Sequence, residues 1–333
     1  MKRMSRLAFA AAVIVATLFP SIGIVRAAEK PTVTLGLVTY LSEFWPALVA
    51  QKLGYFDEAG IKVDIVTTGA SSKSVQMAAL GAIDIGSGGV VDPVRAMYGG
   101  AQVILIASGA INSTTMLFAR PEIKSVEALR GKRVIVGGSK DITAVWWDAM
   151  AKKFKLDPTK DVELLYAGAT PDRLAALLAG GVDAASLSTP AAFVAESRGF
   201  TNLGLFAPYT PDLPYIAYYA NEQWAKANRP AVVAFLRGLQ RGTAFIYDPK
   251  NREKAAEILS EATKVEQKVA LKTYDLIIKI KAFAPDAGFT DAQVNAVQNV
   301  LIEAGDVKPP LKSVSAIYDA SYAKEATSKQ QGK

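Results

Sequence analysis

The feature that most limits what this chain can become is an internal echo at an offset of 99 residues. Residues 63–69 have a counterpart at 162–168. The register continues without a gap, aligning Gly69-Ala70-Ser71 with Gly168-Ala169-Thr170 and Gly81-Ala82-Ile83-Asp84 with Gly180-Gly181-Val182-Asp183. Ser87 and Ser186 still match. In the first copy, Thr32-Val33-Thr34-Leu35-Gly36-Leu37-Val38 has the β-branched content of a strand, and a helix is expected over 45–53, ending near Gly54. A strand over 61–66, a Gly69-Ala70-Ser71-Ser72 loop, a helix over 73–80 and a short strand between Gly81 and Gly86 follow. Residues 133–136 and 143–154 repeat the opening strand and helix. Strands alternating with helices at this spacing indicate parallel βαβ units.

The echo predicts an α/β protein of two similar lobes with a cleft between them. Apolar runs at 102–107 and 115–119 carry the chain out of the first lobe, and Tyr215-Ile216-Ala217-Tyr218-Tyr219-Ala220 brings it back. Helical periodicity then dominates over 230–246, 252–262, 264–280 and 291–304, and the tail from Lys324 is polar. The expected organisation is a leader at 1–27, the first part of lobe one at 28–115, lobe two at 116–214, and the return to lobe one with the C-terminal helices at 215–333.

The leader is read from charge and hydropathy. Lys2, Arg3 and Arg6 precede an apolar run from residue 7 to 25, which closes on Val25-Arg26-Ala27, with small residues at both positions read by the cleaving peptidase. That is the pattern of a secretory signal peptide cut after Ala27, and it predicts export of the mature chain. Losing Lys2, Arg3, Arg6 and Arg26 lowers the formal charge from +7 to +3. A balance so near neutral, without a basic run, gives no expectation of nucleic-acid binding. The mature protein is expected to be a soluble monomer.

Two missing residue types narrow the chemistry. The chain has no Cys and no His. Disulfides, thiolate metal sites, a Cys nucleophile, a Ser-His-Asp triad, His-ligated zinc and imidazole acid–base work are therefore excluded. No cofactor or metal is expected, and no catalytic residue is assigned. Ser321-Tyr322-Ala323-Lys324 matches a Ser-x-x-Lys string but lacks its partner motifs. Asp84 and Asp183 are repeat-equivalent and read as structural residues at helix-to-strand corners.

In open parallel sheets, ligands gather beyond the C-terminal ends of the strands. The residues expected there are Thr39, Tyr40, Gly69, Ser71, Ser72, Gly88, Gly89, Ser139, Thr143, Thr170, Ser188 and Thr189. They are small, hydroxylic or, for Tyr40, phenolic, and several precede helices, whose free N–H groups and positive dipole ends suit an anion. The same residues serve as ordinary helix caps, so the argument rests on their convergence rather than on any one loop. Phe44 and Trp45 are expected to wall the cleft. Trp146 and Trp147 lie about 100° apart on one helix, so one of them must face the core. Lys73, Lys140 and Arg173 are the nearest cations and read as solvated surface charges.

The stretch Gln51-Lys52-Leu53-Gly54-Tyr55-Phe56-Asp57-Glu58-Ala59-Gly60-Ile61-Lys62-Val63 resembles the A-x-x-x-G-Y-F-x-x-x-G-L-x-V signature of periplasmic binding proteins for nitrate, sulfonates, taurine and related ligands. Residues 79–86, 125–134 and 178–184 fit the same family, so the resemblance spans nearly the whole mature chain. It implies a type II periplasmic binding protein, with two α/β lobes joined by a two-strand hinge. The implied function is the substrate-binding subunit of an ABC importer, which captures a small organic anion, a sulfonate or carboxylate with room for an aromatic acid, and passes it to the membrane permease. A ligand sensor on the same scaffold is the alternative. The family's thiamine-pyrimidine synthase branch depends on His and Cys residues, which this sequence lacks. Sulfonate and taurine binders aim a cationic side chain at the anion, and the sequence does not single out its counterpart here.

Overall fold

The structure, a computed structural model, describes residues 29–331; the expected leader at 1–27 lies outside the described residues. Two five-stranded mixed sheets form the framework. The first contains β1 (Thr32–Leu37), β2 (Lys62–Thr67), β3 (Ile85–Gly89), β4 (Val103–Ser108) and β10 (Ile216–Asn221), in the order β2-β1-β3-β10-β4. The second contains β5 (Met116–Ala119), β6 (Arg133–Val136), β7 (Glu163–Tyr166), β8 (Ala184–Leu187) and β9 (Thr201–Leu205), in the order β7-β6-β8-β5-β9.

The two orders are the same once each strand is matched to its repeat partner. In each sheet four strands run in one direction, and one strand supplied by the chain's crossing from the other lobe runs antiparallel between two of them: β10 pairs with β3 and β4, and β5 with β8 and β9. The exchanged strands make the two lobes one unit, because neither sheet is complete without chain that has visited the other. The crossings also bond to each other, with Tyr215 and Ile216 donating to the Ala110 carbonyl and Phe206 to the Thr115 carbonyl.

The repeat holds at the level of single hydrogen bonds. Thr34 N–H donates to Asp84 Oδ2 at 2.8 Å, and the equivalent Arg133 N–H donates to Asp183 Oδ2 at 2.8 Å. In each lobe an aspartate at the corner after a helix thus satisfies a backbone donor on the neighbouring strand. The helices Ser71–Ala79 and Thr170–Leu178 also sit 99 positions apart, bound for bound.

Helices cover both sheets, and the C-terminal ones thicken the first lobe. The long Arg229–Tyr247 helix lies against the Trp45–Lys52 helix so closely that a Cβ on Gly242 would come within 2.1 Å of the Pro46 carbonyl. Trp45 is wholly buried there, edge-on to Tyr274 and donating its indole N–H to the Ala255 carbonyl at 3.1 Å. Trp146 and Trp147 are both buried: Trp147 donates to the Pro158 carbonyl at 3.0 Å, and Trp146 packs against Phe206 and Tyr215 at the crossing. Both indoles therefore belong to the core, where the sequence required only one. No helix among the described residues is long and apolar enough to cross a membrane.

Candidate functional site

The two repeat-related loops meet at the middle of the molecule. A Cβ on Gly168 would lie 2.8 Å from the Gly69 carbonyl oxygen and 3.3 Å from the Ala70 Cβ, so only glycine lets the corners approach this closely. A second contact forms where a Cβ on Gly89 would lie 2.9 Å from Ile142 Cγ2. Between these contacts the lobes enclose a cavity of about 360 Å³. That is within the range of small-molecule sites.

Seven of the sequence-predicted residues line it: Phe44, Ser71, Ser72, Gly89, Ser139, Thr143 and Thr170. The other seven do not. Trp45 belongs to the core as described, because the first turn of its helix faces the C-terminal helices rather than the cleft. Tyr40 is 36% exposed and lines a separate surface depression with Lys52 and Glu261, and Thr39 is half-buried beside it. Gly69 serves the contact between lobes, and Gly88 lies beneath Ser71, whose Oγ would be 2.4 Å from a Cβ there. Ser188 and Thr189 are buried in a hydroxyl network at the crossing.

That network surrounds Glu43, a wholly buried acid that sequence reasoning passed over. Thr114 donates to its Oε1 at 2.5 Å and Ser42 to its Oε2 at 3.2 Å. Thr189 Oγ1 donates to Thr114 at 2.8 Å and lies 2.7 Å from Ser42 Oγ, while Ser188 joins Thr115 at 2.8 Å and Tyr215 at 3.4 Å. Burial pushes Glu43 up to about 7, against the opposing pull of Thr114 and its other hydrogen bonds. The group links lobe one to both crossings.

The cavity's charged lining was the larger omission. Arg173, expected on the surface, is 2% exposed. It lies in the first turns of the Thr170–Leu178 helix and curls back towards β8. Its Nε donates to the Ser186 carbonyl at 2.7 Å, its Nη1 to the Ala167 and Gly168 carbonyls at 2.8 and 2.9 Å, and its Nη2 to Thr170 Oγ1 at 2.9 Å. Of the five guanidinium donors one, on Nη2, remains. Among the described residues no carboxylate pairs with it directly, and burial lowers its pKa from the usual guanidinium range, against the nearby charges of Asp141, Asp172 and Glu43. A buried cation with no counter-ion in direct contact is costly unless something else supplies negative charge. Position 173 matches Ser74 in the echo, and Ser74 is wholly buried, so the cation stands where its repeat partner is also in the core.

The helix ends sharpen this asymmetry. The Ser71–Ala79 and Thr170–Leu178 helices start after Ala70 and Ala169 with no side-chain cap, but in the second Pro171 carries no N–H and those of Asp172 and Arg173 donate to the Ala169 carbonyl, so only the Thr170 N–H is left there. The Ile142–Lys153 helix is different: Asp141 Oδ1 accepts from Thr143 and Ala144 N–H at 2.9 and 3.2 Å, so a carboxylate of the protein itself fills that end. Its Oδ2 sits where a Cβ on Gly137 would come within 2.0 Å, which accounts for the glycine. The cationic end of the cavity is thus Arg173 with Thr170, and the Ser139 loop borders it.

At the other end, Lys140, also read as a solvated charge, does project from the surface but is paired. Asp306, after the Asp291–Glu303 helix, bridges Arg95 at 2.8 Å and Lys140 at 2.5 Å, and Arg95 Nη2 donates to the Lys140 carbonyl at 2.5 Å. Against the opposing effect of burial, Lys140 and Arg95 hold the Asp306 carboxyl below its ordinary range. The bridge ties Arg95 of the first lobe to Lys140 of the second. Lys73 is exposed and lies outside the cavity lining.

A two-lobed sheet framework with exchanged strands and an enclosed interlobe cavity is the periplasmic binding protein fold. The chain belongs to the NMT1/THI5-like family, whose model matches residues 42–252. A candidate binding protein of Bacillus subtilis (strain 168), YtlA, is 22% identical over 315 residues, covering 92% of this chain and 93% of its own. Among solved structures, the periplasmic nitrate-binding protein NrtA of Synechocystis PCC 6803 superposes with a TM-score of 0.78 at 15% identity, covering 92% of this chain and 90% of that one. The alkanesulfonate-binding protein SsuA of Xanthomonas axonopodis pv. citri, bound to MOPS, superposes with a TM-score of 0.71 at 17% identity, covering 88% of this chain and all of that one.

Proposed function

We propose that the protein is the substrate-binding component of an ABC importer, working in the periplasm, and that it captures a small organic anion in the interlobe cavity for delivery to a membrane permease. The observation that carries this reading is Arg173, a buried cation with no carboxylate partner, lining an enclosed cavity beside an uncapped helix end. An anion seated there receives the remaining Nη2 donor and the Thr170 N–H at the start of the Thr170–Leu178 helix, and so supplies negative charge in direct contact with Arg173. Val38, Leu41, Phe44, Ile142 and Ile216 give the body of the ligand an apolar wall. Solved structures on this fold include a nitrate-binding protein and an alkanesulfonate-binding protein bound to MOPS, which accords with an anion at this position. With neither His nor Cys in the chain, binding without turnover fits the lining better than catalysis does.

A thermal-shift screen of alkanesulfonates, carboxylates, nitrate and thiamine precursors tests the reading. A ligand of the folded state present at one hundred times its dissociation constant adds about 2.7 kcal/mol. At roughly 2–4 °C per kcal/mol, the melting temperature rises by about 5–10 °C. The bound compound should be recovered unaltered by mass spectrometry. Conversion of the compound, or no shift with any organic anion, would contradict the proposal.

A further inference from the structure

Glu43 is wholly buried beside the cavity, whose lining includes Phe44, the next residue, and Tyr215. Ser188, a further hydrogen-bonding neighbour of the acid, lies 3.4 Å from Tyr215 Oη. The hydroxyl protons around Glu43 fit two states. Thr114 gives its proton to Oε1, and Thr189 gives its own to Thr114. Ser42 has a single proton and two claims on it, from Oε2 at 3.2 Å and from the Thr189 carbonyl at 2.9 Å. With Glu43 ionised, Ser42 must serve Oε2, and the carbonyl keeps only the Ser42 N–H at 3.2 Å. With Glu43 neutral, Oε2 donates to Ser42 Oγ, and the Ser42 proton turns to the carbonyl, its nearer acceptor. Protonation thus adds a hydrogen bond between the first lobe and the loop after β8.

Electrostatics connect these two states to the cavity. Among the described residues, the titratable groups that sense the acid's charge are Tyr215 and Arg173. Burial, and then the charge of Glu43, hold the Tyr215 phenol above its ordinary range, so it stays neutral. For Arg173 burial is the larger effect, and the Glu43 charge helps Asp141 and Asp172 to oppose it. An anion seated on Arg173 takes over that balance, repels the Glu43 charge and displaces water from the cavity; each effect favours the neutral acid. Burial already pushes Glu43 up to about 7, so a small further push changes its state near neutral pH.

Resting on the anion reading above, we propose that Glu43 is a proton switch for capture: it takes a proton from solvent onto Oε2 when an anion settles on Arg173, and the neutral acid then strengthens the Ser42–Thr189 contact between the lobes. Ligand and proton bind together, and each tightens the other. Capture strengthens as pH falls through the neutral range, and release is favoured as it rises.

Calorimetric titration of wild-type protein in two buffers of different ionisation heat tests this. The probes are unsubstituted alkanesulfonates and alkanecarboxylates of two to six carbons, which stay ionised at pH 6 and above, so any proton taken up goes to the protein. The expected results are uptake of roughly 0.3–0.5 proton per anion at pH 8, and binding several-fold tighter at pH 6 than at pH 8.5. Glu43→Gln should abolish both. Burial also pushes Asp92, 8% exposed in the cavity lining, up to about 7, so Asp92→Asn is the control and should keep the uptake. It decides the case even if Glu43→Gln fails to fold. Binding without proton uptake, or uptake that vanishes in Asp92→Asn, overturns the switch and leaves the anion reading standing. Failure of every probe to bind overturns the two together.

Discussion

Glu43 gives the fold's stability a dependence on pH that a single residue carries. Its folded value of about 7 lies above the ordinary 4.5, so between these values the folded state keeps a proton that the unfolded chain has lost. Stability from this group is therefore present in full below about 4.5, and it falls as pH rises through 7. The shift corresponds to about 3 kcal/mol. Glu43→Gln keeps the hydroxyl partners and removes the ionisation. Denaturant midpoints at pH 5 and pH 8 should converge in the variant relative to wild type; parallel curves would show that Glu43 titrates normally. Asp92 titrates in the same direction and remains in the variant, so the convergence is partial.

At the scale of elements, the Ile142–Lys153 helix separates capping from ligand binding. Asp141 both caps it and places a negative charge in the cavity lining. Asp141→Ala should lower stability by about 1 kcal/mol through the lost cap. The same change frees the helix N–H groups and leaves Arg173 less neutralised, so simple organic anions should bind several-fold tighter by calorimetry. A variant that loses both stability and anion affinity would place the anion away from this end. The elements themselves were largely legible in the sequence, because a duplication preserves strand–loop–helix order and even the Asp84 and Asp183 corner bonds. The site was half legible. Spacing locates the loops at the strand ends, such as those carrying Ser71 and Thr170. It does not say which side chains meet across them, since Ser42 and Thr189, bonded at the hinge, are 147 positions apart. Nor does a helix-start cation announce its burial: Arg173 looks like a surface charge until its four hydrogen bonds are seen. Trp45 failed in the opposite sense, since an aromatic after a strand serves the core as readily as a cleft.

At the scale of the whole molecule, the proposed function asks two lobes that exchange strands to close on a charged cavity. Asp306 joins Arg95 and Lys140 from opposite sides of it, a bridge that closure would use. With Lys140 65% exposed, the bridge is screened by solvent and contributes modestly. Asp306→Asn should therefore speed ligand release by a small factor in stopped-flow measurements and weaken the dependence of release on salt; an unchanged rate would remove the bridge from the closing mechanism. The central claim is that Arg173 receives an anion between the lobes, and calorimetric titration of the tightest-binding organic anion against wild type and Arg173→Gln tests it most directly. Removing one partner of a buried charge pair costs about 2–5 kcal/mol, so affinity should fall by roughly 30-fold or more. The unliganded melting temperature of the variant serves as the folding control. An Arg173→Gln protein that remains folded and binds the anion as tightly as wild type would contradict the account.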